Sequence, residues 1–355
     1  MTQNRRFFIT GAQGFVGRYL VAQLLSTAGA IHVLGVGRSP RLDQSFTHVI
    51  SWGAKRLLAP LPAGLQEVDG EARYHYVAAD LRQSLFVTQL LRDFQPQVII
   101  HLASGLRDDP PYRLLQSNIE GTVQLITAIA DSGIEPPRLV LCSTGGVYGI
   151  PDVRDLPLKE NGPCLPVDFY AATKLGCEHT SRVLARRYGL PTVWARVFNI
   201  VGAGQDERHV CGTLARQLAM IKKRALPPSV AVGSLAATRD FIDVRDVCRA
   251  LHILAERGQP GDAYNVASGV ESSIHTVLQT MVRLTGLEES ISIHQQVESR
   301  VDIPRHFADI GRLAALGFRC QYTLERSLKD LLQYYAQTVA NAVERCGEDE
   351  QSGQP

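Results

Sequence analysis

Short, continuously apolar runs alternate with longer stretches of helical periodicity through the first two hundred residues. Runs such as Val98-Ile99-Ile100 and Leu139-Val140-Leu141 carry no polar position, which indicates strands covered on both faces. The alternation predicts βαβ units and an α/β fold built on a doubly wound parallel sheet. The predicted strands are Arg6 to Thr10, Ile31 to Val36, Tyr74 to Ala79, Val98 to Leu102, Leu139 to Ser143 and Thr192 to Val197.

Two regions depart from this alternation. Ser39 to Arg73 is rich in proline and glycine, which predicts an excursion of loops in place of one crossover helix. Beyond Ile200 helical periodicity dominates, although Asp262 to Ala267 predicts a strand returning to the first sheet. Helices of this second half are predicted near Thr213 to Lys223, Val244 to Glu256, Ile274 to Leu284 and Leu324 to Val339.

These patterns divide the chain into two lobes. We predict a first domain over residues 1–199, with return segments at about 240–267, and a smaller, mainly helical lobe over 200–345. Residues 346–355 are polar and have no periodicity, which predicts a flexible tail.

Composition narrows the class of protein. The 355 residues are 45% hydrophobic and carry a net charge of +2, so neither a disordered chain nor a nucleic-acid-binding protein is expected. No apolar run approaches the ~18 residues that a membrane span needs, and we expect a cytoplasmic protein without a membrane partner. Seven scattered cysteines form no C-x-x-C pair and no histidines stand three or four apart, so we predict no metal.

A glycine motif follows the first predicted strand. Gly11, Gly14 and Gly17 stand three residues apart in Thr10-Gly11-Ala12-Gln13-Gly14-Phe15-Val16-Gly17, between a strand and a helix. In such a turn the first glycine permits the tight bend, the second lets the backbone approach a pyrophosphate, and the third allows close packing of the helix. The motif predicts a Rossmann-type dinucleotide site in which Phe15 and Val16 also contact the cofactor.

The second predicted strand indicates which dinucleotide binds. It ends in Gly37-Arg38-Ser39, without the carboxylate that usually accepts from the ribose hydroxyls of NAD. Arg38, with Arg18 and Ser39 as further candidates, suits a 2′-phosphate, so we predict NADP(H) and leave NAD(H) open. The remaining predicted cofactor contacts follow other strands, and they are Asp80, Leu81 and Ala103.

A candidate catalytic group lies further along. Tyr170 and Lys174 are four residues apart, hence on one face of a helix. A free tyrosine titrates near pH ~10, so acid–base work at neutral pH needs a nearby cation such as Lys174 to stabilise the phenolate. Thr144 follows the fifth predicted strand, at a sheet edge where ligands bind, and its hydroxyl can hydrogen-bond the reacting oxygen.

With these motifs in place, the chain resembles the extended short-chain dehydrogenase/reductase family over roughly residues 5–340. The likeness rests on the glycine motif, the Thr before Val147-Tyr148-Gly149, the Tyr-x-x-x-Lys pair and Asn118-Ile119-Glu120-Gly121-Thr122. It implies a nucleotide-sugar substrate in the C-terminal lobe. The residues that it assigns to the substrate are Ser143, Asn199, Arg239 and Arg300.

Within that family several reactions are distinguishable. The 4,6-dehydratases carry an Asp-Glu pair after the catalytic Thr, where this chain has Gly145 and Gly146. An epimerising reductase branch carries a Cys there and a distant His, for which His209 is the candidate. The chain is most similar to the branch that reduces GDP-6-deoxy-4-keto-mannose, which implies NADPH-dependent reduction of a C4 ketone.

Two alternatives stay open at this stage. A C4 epimerase with tightly bound NAD uses the same Thr, Tyr and Lys set, and a non-catalytic NADP-binding sensor needs only the cofactor site. The resemblance also implies a homodimer, in which helices at about Asn118 to Ser132 and Asp168 to Arg187 pair as a four-helix bundle.

Overall fold

The computed structural model describes residues 5–27, 30–42, 44–66, 71–296 and 303–341. The central element of this described part is a seven-stranded sheet in which every pairing is parallel. Its strand order is β12-β8-β7-β6-β1-β2-β5, so the order reverses between β1 and β6. The seven strands are β1 Arg5–Thr10, β2 Ile31–Gly37, β5 Tyr74–Ala78, β6 Val98–His101, β7 Arg138–Thr144, β8 Thr192–Val197 and β12 Ala263–Val266.

Helices cover both faces of the sheet and form much of the C-terminal half. The α-helices are α1 Phe15–Ser26, α2 Ala63–Gln66, α3 Ser84–Phe94, α4 Pro111–Leu114, α5 Gly121–Ser132, α6 Phe169–Tyr188, α7 Val210–Lys222, α8 Val244–Arg257, α9 Ile274–Thr285, α10 Gly311–Ala315 and α11 Leu324–Gln333. Leu115–Glu120 and Tyr334–Val339 are π-helical, and Gly145–Tyr148 and Val153–Asp155 are 3₁₀-helical. The predicted α/β class, the six strands and the returning strand β12 are confirmed.

Smaller sheets surround the central one. Strands β9 Asn199–Val201 and β15 Arg305–His306 pair in parallel with β11 Thr238–Asp243, and β13 Glu271–Ser273 pairs with β11 antiparallel. Strand β10 Ser229–Val232 pairs in parallel with β14 Ser292–Gln295. These additions bring segments from the second half of the chain against the carboxyl ends of β7 and β8.

Buried side chains explain why the helices lie where they do. On one face of the central sheet, Leu20 and Leu24 of α1 pack with Val247 and Leu251 of α8. The opposite face is covered by α3, α5 and the last turns of α6, which contribute a second apolar cluster. Strand positions between these layers are buried on both sides, which accounts for the continuously apolar runs in the sequence.

The prediction of loops between Ser39 and Arg73 is wrong. The segment contains an antiparallel hairpin, β3 Ser45–Trp52 and β4 Lys55–Pro60, followed by helix α2. Gly53 adopts a φ of 62° at the turn between the strands, where a left-handed conformation favours glycine. Phe46 and Ile50 of the hairpin are fully buried against helices α7, α9 and α11, so tertiary burial stabilises the strands.

Candidate active site

The carboxyl ends of the central strands bring most of the predicted site residues to one edge. Because all seven strands are parallel, Gly11 after β1, Arg38 after β2, Ala103 after β6 and Thr144 at the end of β7 lie along the same side of the sheet. The reversal of strand order between β1 and β6 opens a crevice there, where α/β sheets bind ligands. The predicted cofactor site is therefore placed where the fold favours it.

The glycine turn has the geometry that its spacing predicts. Gly11 has a φ of 70°, and a Cβ there would lie 2.8 Å from the Ala103 nitrogen. A Cβ on Gly17 would lie 2.2 Å from the Gly11 oxygen, so α1 packs too closely for any side chain. A Cβ on Gly14 would meet only the Gly11 oxygen, at 3.3 Å. The outer side of Gly14, at the N-terminus of α1, is open to an anion.

Arg38 and Asp80 lie side by side after β2 and β5. The Arg38 side chain is exposed. Hydrogen bonds from Arg82 chiefly hold the pKa of Asp80 below its ordinary value, and the Arg38 charge adds a smaller effect. Asp80 therefore remains a carboxylate, with Arg82 as its ion-pair partner at 2.8 Å. Leu81 next to it is buried.

Arg18 does not join Arg38. Its guanidinium is buried and donates to the backbone oxygens of Leu42 and Ser45, the second at 3.2 Å. The Ser39 carbonyl accepts a hydrogen bond from the Tyr76 hydroxyl at 2.8 Å. Of the three groups suggested for a 2′-phosphate, the structure leaves the Arg38 side chain at the surface and commits Arg18 to the interior.

Thr144 occupies the turn that follows β7. Its hydroxyl oxygen accepts a hydrogen bond from the Gly146 nitrogen at 3.1 Å and caps the 3₁₀ turn Gly145–Tyr148. The hydroxyl proton remains available to donate to a ligand. Ser143 points the other way, as strand alternation requires, and donates to Glu178 at 2.5 Å. A substrate contact for Ser143 stays a prediction, but its hydroxyl is engaged in the interior.

Helix α6 presents Tyr170 and Lys174 one turn apart. Asp168 begins the helix by accepting a hydrogen bond from the Ala171 nitrogen at 2.8 Å, which places Tyr170 in the first turn. Lys174 is only 5% exposed, and no carboxylate of the described residues forms an ion pair with it. Burial acts to lower the pKa of Lys174, but neighbouring groups, Tyr170 first among them, raise it above its ordinary value.

A buried histidine lies behind Lys174. Burial, with a smaller effect of the Lys174 charge, lowers the pKa of His101 to about 3, so its ring is neutral at physiological pH. Thr10 Oγ1 accepts from the Ala103 nitrogen at 3.1 Å and contacts His101 Nδ1 at 2.7 Å. His101 Nε2 lies 3.0 Å from Thr122 Oγ1, which donates to the Asn118 carbonyl. This order of donors places the ring proton on Nε2.

Asn118 connects three elements through its side-chain amide. Its oxygen accepts from the Gly105 nitrogen at 2.7 Å, and its nitrogen donates to Thr173 Oγ1 at 2.9 Å. The residue lies in the π-helical turn Leu115–Glu120, directly before α5. The amide thereby ties the loop after β6 to the helix that carries Tyr170.

The predicted substrate residues from the second half meet at β11. Register pairs Asn199 with Phe241 and Arg239 with His306, and the Asn199 amide donates to the Asp240 carbonyl at 3.3 Å. Arg239 is half-buried and donates to the Thr238 carbonyl at 2.8 Å. Arg300 lies outside the described residues, so its assignment stays a prediction. His209 is exposed and directly precedes α7.

His306 is a site residue that sequence reasoning missed. Its Nε2 lies 3.1 Å from the Gly145 carbonyl, and its ring stacks obliquely on Phe198 at 5.0 Å. Burial lowers the pKa of His306 to about 4, and the neutral ring donates one hydrogen bond to the turn beside Thr144. No local sequence pattern could have identified His306, because it lies 161 residues from Gly145 in the chain.

A buried ion pair supports the site from below. Glu178 and Arg196 are nearly inaccessible and approach to 2.8 Å, and Arg196 also donates to the Tyr148 hydroxyl at 3.1 Å. The Tyr148 hydroxyl in turn donates to Asn265 at 2.7 Å. This network joins α6, β7, β8 and β12 beneath Thr144. The sequence shows the residues but not their pairing, which depends on the folded sheet.

Two classes of feature are absent from the described part of the chain. None of its helices is both long and apolar enough to cross a membrane. No group of three or more histidine, cysteine, aspartate or glutamate side chains in these ranges could hold a metal ion. The prediction of a metal-free protein is compatible with this result and stays a prediction.

The fold and this set of residues define a class of nucleotide-dependent enzymes. The sequence profile described as the NAD dependent epimerase/dehydratase family matches residues 7–267. The chain belongs to this family, which is part of the extended short-chain dehydrogenases/reductases. The family resemblance inferred from the motifs is confirmed.

Individual relatives cover almost the whole chain. The GDP-6-deoxy-D-mannose reductase of Pseudomonas aeruginosa is 30% identical over 350 residues, covering 96% of this chain and 99% of the reductase. The UDP-glucose 4-epimerase of Mycolicibacterium smegmatis is 27% identical and covers 93% of this chain and 98% of the epimerase. A solved structure of RMD from Pseudomonas aeruginosa complexed with NADPH superposes with a TM-score of 0.76 at 27% identity, over 94% of this chain and 99% of that one.

Proposed function

We propose that this chain reduces the C4 ketone of an NDP-4-keto-6-deoxyhexose, GDP- or dTDP-linked, with NADPH, in the biosynthesis of deoxysugars. A GDP-6-deoxy-D-mannose reductase is 30% identical along nearly the full length, which supports the reaction class. The Thr144, Tyr170 and Lys174 side chains supply the acid chemistry that a ketone reduction needs.

The residues present fit a dinucleotide. The Gly14 surface that a Cβ would fill is open, α1 begins there without a side-chain cap, and its first turn holds no acidic residue that would repel a phosphate. Gly11, Gly14, Phe15 and Val16 would hold the pyrophosphate, and Gly17 would support this turn by letting α1 pack against it. Arg38 would meet the 2′-phosphate, and Asp80, Leu81 and Ala103 would flank the adenosine and nicotinamide parts. When bound, NADPH supplies the hydride that reduces the ketone carbon.

Protein side chains supply the proton that the ketone oxygen takes up. Tyr170 donates its phenolic proton to the ketone oxygen as that oxygen gains negative charge, and Thr144 donates a hydrogen bond to the same oxygen. The Lys174 ammonium, which forms no ion pair with a carboxylate in the described part of the chain, stabilises the phenolate that remains. Neutral His101 behind it adds no opposing positive charge.

The Gly145-Gly146 pair is the observation that favours reduction over dehydration. Elimination of water needs a separate acid and base beside the sugar, and these two positions after Thr144 supply neither. Gly145 is also closely packed, because a Cβ there would lie 2.9 Å from the Phe198 ring. A side chain at position 145 would displace Phe198, so the turn is built around glycine.

Oxidation of NADPH, followed by absorbance, tests the proposal. The substrates are GDP-4-keto-6-deoxymannose and its dTDP-glucose-derived counterpart, each repeated with NADH. We expect rapid oxidation with one of the two sugars and a preference for NADPH. Measurable NADPH binding without oxidation of either sugar contradicts the proposed reduction.

A C4 epimerase is the second candidate, because a UDP-glucose 4-epimerase relative is 27% identical and the same three side chains serve that reaction. Protein isolated with stoichiometric NAD, together with interconversion of an NDP-hexose without added cofactor, would favour it. Binding of NADPH with no turnover of any of these sugars would favour a sensor.

We further propose that the enzyme is a cytoplasmic homodimer that binds no nucleic acid. Helices α5 and α6 lie side by side on one face of the sheet, which is the arrangement that a four-helix bundle between two copies requires. Sedimentation at micromolar concentration tests this, and a monomer would contradict it.

A further inference from the structure

The segment between Arg38 and Leu42 is fastened onto the glycine turn. We call residues 38–42 the strap. The strap directly follows β2 and has no regular secondary structure, yet its backbone is tied down at several points. The ties come from side chains of the glycine turn and of α1, although the strap is separated from them by more than twenty residues.

Gln13 supplies two of these ties from the middle of the glycine motif. Its side chain is 2% exposed. The amide oxygen accepts a hydrogen bond from the Leu42 nitrogen at 2.7 Å, and the amide nitrogen donates to the Pro40 carbonyl at 3.2 Å. Arg18 donates to the same amide oxygen at 3.2 Å and to the Leu42 carbonyl. The Gln13 amide thus bonds backbone groups of Pro40 and Leu42, as a neighbouring strand would do for an extended segment.

A further tie fixes the start of the strap. The Tyr76 hydroxyl of β5 donates to the Ser39 carbonyl at 2.8 Å, and Pro40 limits the backbone next to it. The backbone that carries Arg38 is held between Tyr76 on one side and Gln13 on the other. The Arg38 side chain is exposed, so it can meet a ligand without first breaking a buried contact.

We propose that Gln13 is a positioning residue for cofactor selection, because it holds the strap in the conformation that presents Arg38 to a 2′-phosphate. The inference rests on the proposed function only in taking NADPH as the cofactor. A loosely held strap would have to be ordered by the ligand, at a cost in affinity, whereas a fastened strap is ordered beforehand. The effect concerns the 2′-phosphate alone, so it separates NADPH from NADH.

Equilibrium binding of NADPH and NADH to the full chain, without sugar substrate, tests the inference. Gln13→Leu keeps the buried volume but removes both hydrogen bonds to the strap. We expect it to weaken NADPH binding about tenfold and NADH binding less than about twofold. Arg38→Ala is expected to lose the preference for NADPH, and Gln13→Leu added to Arg38→Ala is expected to cause no further loss.

Control variants distinguish a role of Gln13 in holding the strap from a general loss of folding or binding. Gln89→Leu makes the same substitution at an exposed position of α3 and is expected to leave both affinities unchanged. Tyr76→Phe removes only the tie at Ser39 and is expected to weaken NADPH selectively by a smaller factor, which keeps the test valid if Gln13→Leu folds poorly. Hydrogen exchange at the Leu42 amide is expected to quicken in Gln13→Leu and not in Arg38→Ala.

The outcomes distinguish this inference from the proposed function. Equal weakening of NADPH and NADH by Gln13→Leu, or no weakening of either, overturns the role of Gln13. If Arg38→Ala leaves the NADPH preference intact, the assignment of Arg38 fails as well. A missing sugar reduction with a normal binding pattern contradicts the proposed reaction and leaves the strap inference standing.

Discussion

Lys174 and Glu178 are one turn apart on α6, and both are buried, but their surroundings differ. Glu178 is ion-paired with Arg196 at 2.8 Å and accepts a hydrogen bond from Ser143. Lys174 has no ion pair with any carboxylate of the described residues. Tyr170 and two thiols raise its pKa, the Glu178 carboxylate adds a smaller effect, and the histidine beside it is neutral. A buried charge is expensive unless it is compensated, so the buried cation that has no ion-pair partner calls for another explanation.

The difference indicates separate roles for the two charges. The Glu178 pair satisfies itself within the fold and joins α6 to β8, which is a structural task. The Lys174 charge is left to act on whatever negative charge develops at Tyr170, which is a chemical task. The contrast therefore predicts that one substitution lowers stability while the other lowers activity.

Removal of the phenolic proton is expected to give the largest effect. Tyr170→Phe keeps the ring and removes the group that protonates the ketone oxygen, so turnover should fall by about 10²–10⁴-fold. NADPH affinity should change little. Steady-state kinetics and a binding titration measure the two quantities. Tyr112→Phe, at an exposed tyrosine of α4, is the control, and near-normal turnover by Tyr170→Phe would refute the acid role.

Neutralising the paired charge is expected to act on stability. Glu178→Gln leaves the Arg196 guanidinium buried without its carboxylate, which should lower the free energy of unfolding by about 3–5 kcal/mol. Urea unfolding measures this. Glu325→Gln removes one partner of an ion pair that is half exposed and should cost at most about 1 kcal/mol. A loss no larger for Glu178→Gln than for Glu325→Gln would erase the contrast.

Neutralising Lys174 is expected to lower turnover more than stability. Lys174→Met should lower turnover by about 10²-fold, since the phenolate loses its stabilising cation. Its free energy of unfolding should fall by less than that of Glu178→Gln, because Lys174 forms no ion pair that the substitution would break. The same kinetic and urea measurements apply, and a destabilisation as large as that of Glu178→Gln would show that Lys174 has a structural role.

Protonation of buried histidines is expected to give the smallest effect. The folded chain holds the pKa of His101 at about 3 and of His306 at about 4, below the ordinary value near 6.5. The unfolded chain therefore binds more protons, and stability falls as pH falls from 6.5 toward 4. At pH 5.5 each histidine should cost about 1 kcal/mol relative to pH 7.5.

Urea midpoints at these two pH values measure the effect. His306→Phe, which cannot take up a proton, should show a shallower loss than the unchanged chain. Equal pH dependence in both would mean that His306 is protonated as readily in the folded chain as in the unfolded one.

Features set by neighbours in sequence could be predicted well. The roles of Gly11 and Gly17 follow from local backbone geometry, and the spacing of Tyr170 and Lys174 follows from one helical turn. The hairpin was missed because its prolines and glycines were interpreted as loops, although Phe46, Ile50 and Trp52 occupy alternate sites typical of a strand. The alternation was the stronger signal.

Features set by distant residues could not be predicted. That Ser143 donates to Glu178, that Arg18 serves the strap and that His306 reaches Gly145 all depend on which elements the sheet brings together. Strand alternation does predict that Ser143 and Thr144 face opposite ways, but not what each of them meets.

The hairpin β3–β4 also sets an order of events during synthesis. Its buried residues Phe46 and Ile50 share a core with helix α11, and the Pro60 carbonyl accepts from the Tyr334 hydroxyl, 274 residues later. At about 5–20 residues per second, the ribosome needs on the order of 10–60 s to deliver that partner. Until α11 arrives, the apolar side of the hairpin is covered only in part, by earlier segments such as Phe15 and α7. The nascent chain is therefore expected to be most vulnerable to aggregation, and most dependent on chaperones, through Phe46 and Ile50, which the finished chain buries completely.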